Sequence, residues 1–198
     1  MNFDSNKFEQ VYQIMFASGY PGYTPAVAEI PNGDGKVDVQ KRYAHFAMKY
    51  RAGMSDDYAR DVLDDVFDSC MLEAESYAKL FKIPRAFWPS REDSTLRLLE
   101  YPPGADGAEH TDFDLLTLNL YRSHPALLTP RRPVHLGELA AIVASPRGAT
   151  PHSVLAHPTQ VQRSAVFFTM PSLDAVLPTG PTVREWLAER KARSRVRM

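Results

Sequence analysis

The stretch Arg97 to Leu120, RLLEYPPGADGAEHTDFDLLTLNL, decides how the chain is read. It holds the tripeptide His110-Thr111-Asp112. Strand-like leucines flank it: Leu98 and Leu99 before, Leu115, Leu116, Leu118 and Leu120 after. In a β-strand, side chains i and i+2 share a face, so one imidazole and one carboxylate can aim at one point. That pair is two-thirds of the two-histidine, one-carboxylate set that holds Fe(II) and leaves coordination positions open. The third donor is expected downstream. His152, in PHSVLAHPTQVQRSAVFF at the head of an apolar run, fits best; His157, just before Pro158, and His135 are its rivals. Three protein ligands rather than four is the count of a working metal site. Alone, H-x-D is a weak motif that recurs by chance as a surface pair, so the rest of the chain has to support it.

The chain has 198 residues, which favours a single domain over 1–198. We divide it into a mainly helical part (1–95), a β core (96–178) and a C-terminal helix (179–198). Hydrophobic residues make up 44% and charged residues 24%, ordinary for a soluble globular protein. A net charge of -1 gives no electrostatic case for nucleic acid or an anionic membrane. The basic run from Arg184 to Arg197 is read as decorating a helix. Cys70 is the single cysteine, so no intrachain disulfide forms, and its place on an apolar helix face predicts a buried, inert thiol. The N-terminus lacks a signal-peptide pattern, and no run approaches the about 18 apolar residues of a membrane span. A reducing cytoplasm is the expected location.

Along the chain, Lys7 to Ser18 carries Phe8, Val11, Tyr12, Met15 and Phe16 at helical spacing, and Gly19 stops the helix. GYPGYTPAVAEIPNGDGK, with three prolines and four glycines, reads as loop, with a turn at Asn32 to Gly35. Val37 to Lys49 fits a strand or a helical turn. Ser55 to Lys82 is the clearest helix, with Ser55 as cap and Tyr58, Val62, Val66, Cys70, Ala74, Tyr77, Ala78 and Phe81 on its apolar face. From Leu96, short apolar runs alternate with Pro/Gly punctuation: LRLLEYPPG, DLLTLNLY, HPALLTP, RRPVHLGELAAIVAS, PHSVLAHP and QRSAVFFTMP. A spacing of about ten residues with turn signals between indicates a β-sandwich or barrel. Gly180 to Arg195 returns to helix, with Val183, Trp186, Leu187 and Arg190 on one face.

In this order the pieces resemble the isopenicillin N synthase-like branch of the non-haem Fe(II)/2-oxoglutarate-dependent oxygenases. RLLEYPPG resembles that family's strand ending in Tyr-Pro, HTDFDLLTLNL its HxD segment, VHLGELAAIVAS its Gly-Asp/Glu segment, HSV its second metal histidine, and RSAVFFTMPSLDAVLP the end of its core. GYTPAVAE and the helix from Ser55 resemble what precedes the core. The resemblance covers most of the chain and implies a double-stranded β-helix (a cupin-like jelly roll), mainly β with flanking helices. It implies Fe(II) on His110, Asp112 and His152, with 2-oxoglutarate and O2 as co-substrates and a small molecule as substrate. The products would be hydroxylated, desaturated or cyclised amino acids, peptides or specialised metabolites.

Two departures stand out. The chain starts late relative to the family, which leaves a sheet edge to be covered and makes a homodimer an expectation. The family's Arg-x-Ser, whose Arg takes the distal carboxylate of 2-oxoglutarate, is out of register. Aligning on Ser164 and Phe167-Phe168 puts Gln162 where the Arg belongs and Arg163 one residue late, on the opposite face unless a bulge intervenes. The co-substrate set implied is therefore Gln162, Arg163, Ser164 and Tyr101, with Arg97 or Arg122 as other sources of charge. Glu138 is read as structural. Two further readings stay open: a 2-oxoglutarate-independent Fe(II) oxygenase or isomerase of the same fold, and a non-catalytic metal-binding jelly roll.

Overall fold

A computed structural model describes residues 4–17, 19–29, 41–105, 109–124, 127–129, 133–144, 148–193 and 196–197. In chain order the elements are α1 (Ser5–Met15), β1 (Tyr23–Glu29), β2 (Lys41–Phe46), α2 (Met48–Arg51), α3 (Asp57–Leu80), a 3-10 turn at Arg85–Phe87, β3 (Thr95–Tyr101), β4 (Leu116–Arg122), β5 (Leu127–Thr129), β6 (Val134–Leu136), α4 (Glu138–Val143), β7 (Ser153–Leu155), β8 (Gln162–Thr169), α5 (Val183–Arg193) and β9 (Val196–Arg197). The architecture is mainly β with flanking helices, in the jelly-roll arrangement that the resemblance implies.

Seven strands form one sheet in the order β6-β4-β8-β3-β2-β1-β9, antiparallel throughout. A smaller layer pairs β5 with β7, and an isolated bridge joins His110 to His152. The pleat sends alternate side chains to opposite faces of the large sheet. One face carries Ala44, Phe46, Leu96, Leu98, Leu116, Leu118, Ala165 and Phe167, all nearly inaccessible, against α1 and α3. The other face carries Arg97, Leu99, Tyr101, Thr117, Asn119, Gln162, Ser164, Val166 and Phe168, which line a cavity of about 1030 Å³.

α3 forms because apolar residues recur at the helical period over 24 residues. Its N-cap is Asp56, whose carboxylate accepts from Ala59 N at 3.1 Å, rather than the expected Ser55. The buried face runs through Ala59, Leu63, Val66, Phe67, Cys70, Met71, Ala74 and Ala78. Tyr58, expected on that face, is 64% exposed and accepts a hydrogen bond from Gln10 instead. Cys70 is fully buried, and burial pushes its thiol pKa up.

Three other expectations change. Tyr23–Glu29, read as loop from its prolines, is strand β1, because pairing with β2 overrides local propensity. Val37 to Lys49 resolves, from residue 41, into strand β2 followed by α2. The apolar run LAAIV is not strand but helix α4; Leu139 and Ala140 are its buried residues. The turn expected at Asn32 to Gly35 lies outside the described residues.

Phe67 joins helix to sheet. Its ring stands edge-on to Phe46 at 5.7 Å and to Phe167 at 5.0 Å between centroids. Phe67→Ala is expected to cost about 3–5 kcal/mol in urea-unfolding stability. A loss below about 1 kcal/mol would show that α3 does not seal the sheet.

Candidate metal centre

The three expected ligands come together. The donor atoms of His110, Asp112 and His152 lie within 4.8 Å of one another. His110 Nε2 is 3.8 Å from Asp112 Oδ1, and His152 Nε2 is 3.5 Å from Asp112 Oδ2. All three residues line the cavity.

The local route to this geometry differs from the simple i, i+2 strand argument. His110 and His152 face each other across two backbone hydrogen bonds, 2.9 Å each, in a bridge outside the named strands. Asp112 sits in irregular backbone beyond that bridge and is fixed from α4, where Glu138 N donates to Asp112 O at 2.9 Å. Glu138 also accepts from Thr111 Oγ1 at 2.7 Å and from Arg190 of α5 at 2.5 Å, while the Arg190 guanidinium lies 4.9 Å from the Phe113 ring centroid. The structural role read for Glu138 is thus a tether of the H-x-D segment to α4 and α5. Gly137 is needed beside it: a Cβ there would stand 2.0 Å from Asp114 O and 2.3 Å from Asp114 Oδ1.

Each ligand is oriented from behind. His152 is buried, and its Nδ1 lies 3.1 Å from Thr150 O, so the Nδ1–H donates there and Nε2 is presented to the centre. Thr117 Oγ1 is 2.5 Å from Asp112 Oδ2 and 2.9 Å from Asp114 Oδ2. One hydroxyl hydrogen serves only one carboxylate. Burial, and then the charge of Asp112, hold the Asp114 carboxyl well above the usual carboxylate range, so its own proton supplies the second contact. Two imidazole nitrogens and one carboxylate, held to one side and open to a cavity on the other, are the donor set and geometry that suit a divalent iron site. His135, one rival ligand, is buried with its ring 4.5 Å from that of His152, behind the triad. His157, the other, packs its ring against His124.

The register question on β8 has a clear structural answer. Tyr101, Gln162 and Ser164 line the cavity, and Gln162 Oε1 is buried without a hydrogen-bond partner. Arg163 points through the opposite face. Its Nε is 3.4 Å from Glu100 Oε2, its Nη1 is 3.5 Å from Glu9 Oε2, and its guanidinium lies 4.1 Å from the Tyr12 ring centroid. Glu100 is buried and also accepts from Tyr12 and Arg42, so Arg163 helps to neutralise a buried carboxylate. The placing of Arg163 in the co-substrate set is corrected: no bulge returns it to the cavity, because β8 pairs with β3 in unbroken register from Gln162 to Phe168.

Among the cations that line the cavity, Lys41, Lys49 and Lys191 escaped sequence reasoning. Ser164 pairs with Arg122 of β4. Tyr101 lies between Gln162 and the buried Lys41, whose ammonium is 5.9 Å from its ring centroid. Arg97, Lys49 and Lys191 also line the cavity. Lys191 belongs to the run read as helix decoration, and only the fold brings α5 to the cavity wall. No local motif marks Lys41, Lys49 or Lys191.

Arg97 Nε donates to His45 Nε2 at 2.5 Å. Burial, and then the charges of Arg97, Lys49 and Lys191, push His45 down to about 2. An unfolded histidine titrates near about 6.5. Below that pH the unfolded chain takes up a proton that the folded chain refuses, so this residue's contribution to stability falls as pH drops from about 6.5, by up to about 1.4 kcal/mol per pH unit. His45→Gln is expected to flatten the decline of Tm between about pH 6.5 and 5; an unchanged slope would count against a neutral His45.

No family model and no curated protein sequence matches the chain. Solved structures do. A structure of JOX2 in complex with 2OG, Fe and JA superposes with a TM-score of 0.56 at 14% identity, covering 93% of this chain and 71% of that one. The dioxygenase for auxin oxidation 1 from Arabidopsis thaliana, in its 2-oxoglutarate complex, gives 0.56 at 13% identity over 87% and 79%. The rice dioxygenase for auxin oxidation gives 0.59 at 13% identity over 95% and 80%. The fold of this chain is therefore the jelly roll of these Fe/2-oxoglutarate dioxygenases.

Proposed function

We propose that this chain is a non-haem Fe(II)-dependent oxygenase that uses 2-oxoglutarate and O2 to oxidise a small molecule. The observation that carries the reading is the convergence of His110, Asp112 and His152 at the wall of one large cavity. The same fold in JOX2, crystallised in complex with 2OG, Fe and JA, supports it.

Bound Fe(II), with 2-oxoglutarate and O2, supplies the oxidising power for hydroxylation, desaturation or ring closure of an unactivated C–H position. The chain's own part is positioning. His152 is locked by Thr150, Asp112 by Thr117 and by the α4 amide, and His110 by its backbone bridge. Tyr101, Gln162 and Ser164 line the part of the cavity where the resemblance places the distal carboxylate of 2-oxoglutarate. Arg122, beside Ser164 on the next strand, and Lys41, beyond Tyr101, bring the positive charge that Arg163 does not. Phe113 and Phe168 limit water near the triad. A reducing compartment such as the cytoplasm suits a ferrous site, and amino acids, peptides and specialised metabolites remain the substrate classes of this reading. Dimer formation is part of the proposal as cover for a sheet edge.

Anaerobic titration tests the proposal. Fe(II) is expected to bind, and 2-oxoglutarate is expected to raise a weak visible band. Asp112→Ala should lower Fe(II) affinity by more than about 10-fold, the loss that changes to residues behind metal ligands already produce. Arg122→Met should weaken 2-oxoglutarate by about 1.5–3 kcal/mol, the worth of a charged hydrogen bond, whereas Arg163→Ala should leave that affinity unchanged. Absence of iron binding would refute the proposal.

Gln162 in the cavity, with Arg163 turned away, favours a second reading: an Fe(II) oxygenase or isomerase driven by its substrate alone. Iron binding with no response to 2-oxoglutarate would select it.

A further inference from the structure

The cavity holds more positive charge than a co-substrate needs. Apart from Arg122 on β4, beside β8, and Lys41 on β2, a second group of cations lines the cavity: Arg97 on the floor in β3, with Lys49 on α2 and Lys191 on α5 at the rim. Sheet register places Arg97 beside His45 on β2 and Val166 on β8, a row away from Ser164. The two groups of cations are thus separate seats within one cavity.

Arg97 is built into position. Its guanidinium lies 4.8 Å from the Tyr43 ring centroid and 5.1 Å from that of Phe168. Its Nε is spent on His45, a neutral acceptor. That leaves the two terminal nitrogens, the fork that meets a carboxylate or phosphate bidentately. Among the described residues, no carboxylate pairs with Arg97, Lys49 or Lys191. The three charges are close enough that partial burial and the charges of Lys49 and Arg97 pull the Lys191 ammonium below the usual lysine range.

Like charges converging on a cavity without a paired counter-charge are mutually destabilising, and an anion placed among them relieves that repulsion. Of the four acidic residues that line the cavity, Asp112 and Asp114 share Thr117 at the triad, Asp93 accepts from Ser90 Oγ and Leu173 N, and the exposed Glu92 forms no ion pair with Arg97, Lys49 or Lys191. The surrounding wall is apolar at Leu99, Val166, Phe168 and Leu187.

We infer that Arg97, with Lys49 and Lys191, binds the anionic group of the primary substrate, an apolar small molecule ending in a carboxylate or a phosphate. Naming that anion the substrate rests on the oxygenase reading; the anion site itself does not. Arg97 is the specificity-determining residue, because it alone has both a fixed guanidinium plane and a place on the cavity floor. The two lysines add charge from helices at the rim.

The test uses benzoate, its neutral analogue benzamide, and inorganic phosphate. Each is titrated calorimetrically into the full chain, metal-free and again loaded anaerobically with Mn(II) and 2-oxoglutarate. Benzoate is expected to bind at least about 10-fold more tightly than benzamide in both states, the factor that corresponds to one charge-assisted hydrogen bond. Arg97→Met should abolish that preference and leave 2-oxoglutarate affinity within about 3-fold. A Lys49→Met/Lys191→Met double variant, with both changes on helices at the rim, should reduce the preference and serves if Arg97→Met does not fold. Tighter binding of phosphate than benzoate would keep the site and assign the anion as a phosphate ester. Equal binding of benzoate and benzamide, or no binding of benzoate and phosphate, would overturn the inference. Loss of 2-oxoglutarate binding in Arg97→Met would also overturn it, by making this the co-substrate's seat. If wild-type protein binds iron but not 2-oxoglutarate, the co-substrate reading fails, while the benzoate preference in metal-free protein still decides the anion site.

Discussion

The pleat of the seven-stranded sheet is the constraint on which everything else depends. Alternate residues of β8 belong to two different environments: Ala165 and Phe167 are sealed by helices, while Gln162, Ser164, Val166 and Phe168 look into the cavity. The same holds for β3, where Leu96 and Leu98 lie on the core side and Arg97, Leu99 and Tyr101 on the other. A strand in such a sheet cannot slip by one residue without exchanging its core for its cavity lining. The helices therefore do more than stabilise the sheet. By burying one face they fix which residues are available for chemistry on the other.

This explains why Arg163 stands where it does. On the helix side it meets Glu100, a buried carboxylate that also draws on Tyr12 and Arg42. A carboxylate buried alone would be costly, and the arginine next to it lowers that cost. The cavity side instead collects Lys41, Arg97 and Arg122 from strands β2, β3 and β4, with Lys49 and Lys191 from helices. Charge on the two faces is settled separately: Arg163 and Arg42 meet Glu100 behind the sheet, while five basic side chains line the cavity in front of it.

Much of this was legible in the sequence. His110, Asp112 and His152 could be named because metal ligation needs few residue types, and here two of them stand two apart. Strands β3, β4 and β8 announced themselves through leucine, valine and phenylalanine runs, and α3 through its helical period. Other features had no local signal. Strand β1 sits in a stretch rich in proline and glycine and exists because β2 pairs with it. LAAIV suits a buried strand as well as a short helix. The bridge between His110 and His152 spans residues far apart in sequence, so the backbone that orients the ligands could not be read from either segment. Lys191 looked like surface charge because nothing in a helix's own sequence says which neighbour it will lie against.

The position of Cys70 bears on how such a protein would age. If the chain is the oxygenase proposed, an oxidant escaping from the triad would reach first what shares its cavity: Phe113, Phe168 and Met170. The chain's single thiol lies on α3, behind the sheet, with its ionisation suppressed. Thiolate, the form that oxidants attack, is thus scarce and screened by a layer of backbone and aromatic rings. Wear from misfired turnovers would accumulate as hydroxylated rings and methionine sulfoxide at the cavity wall. It would narrow the site before it touched the core, so such a protein would lose activity while still folded.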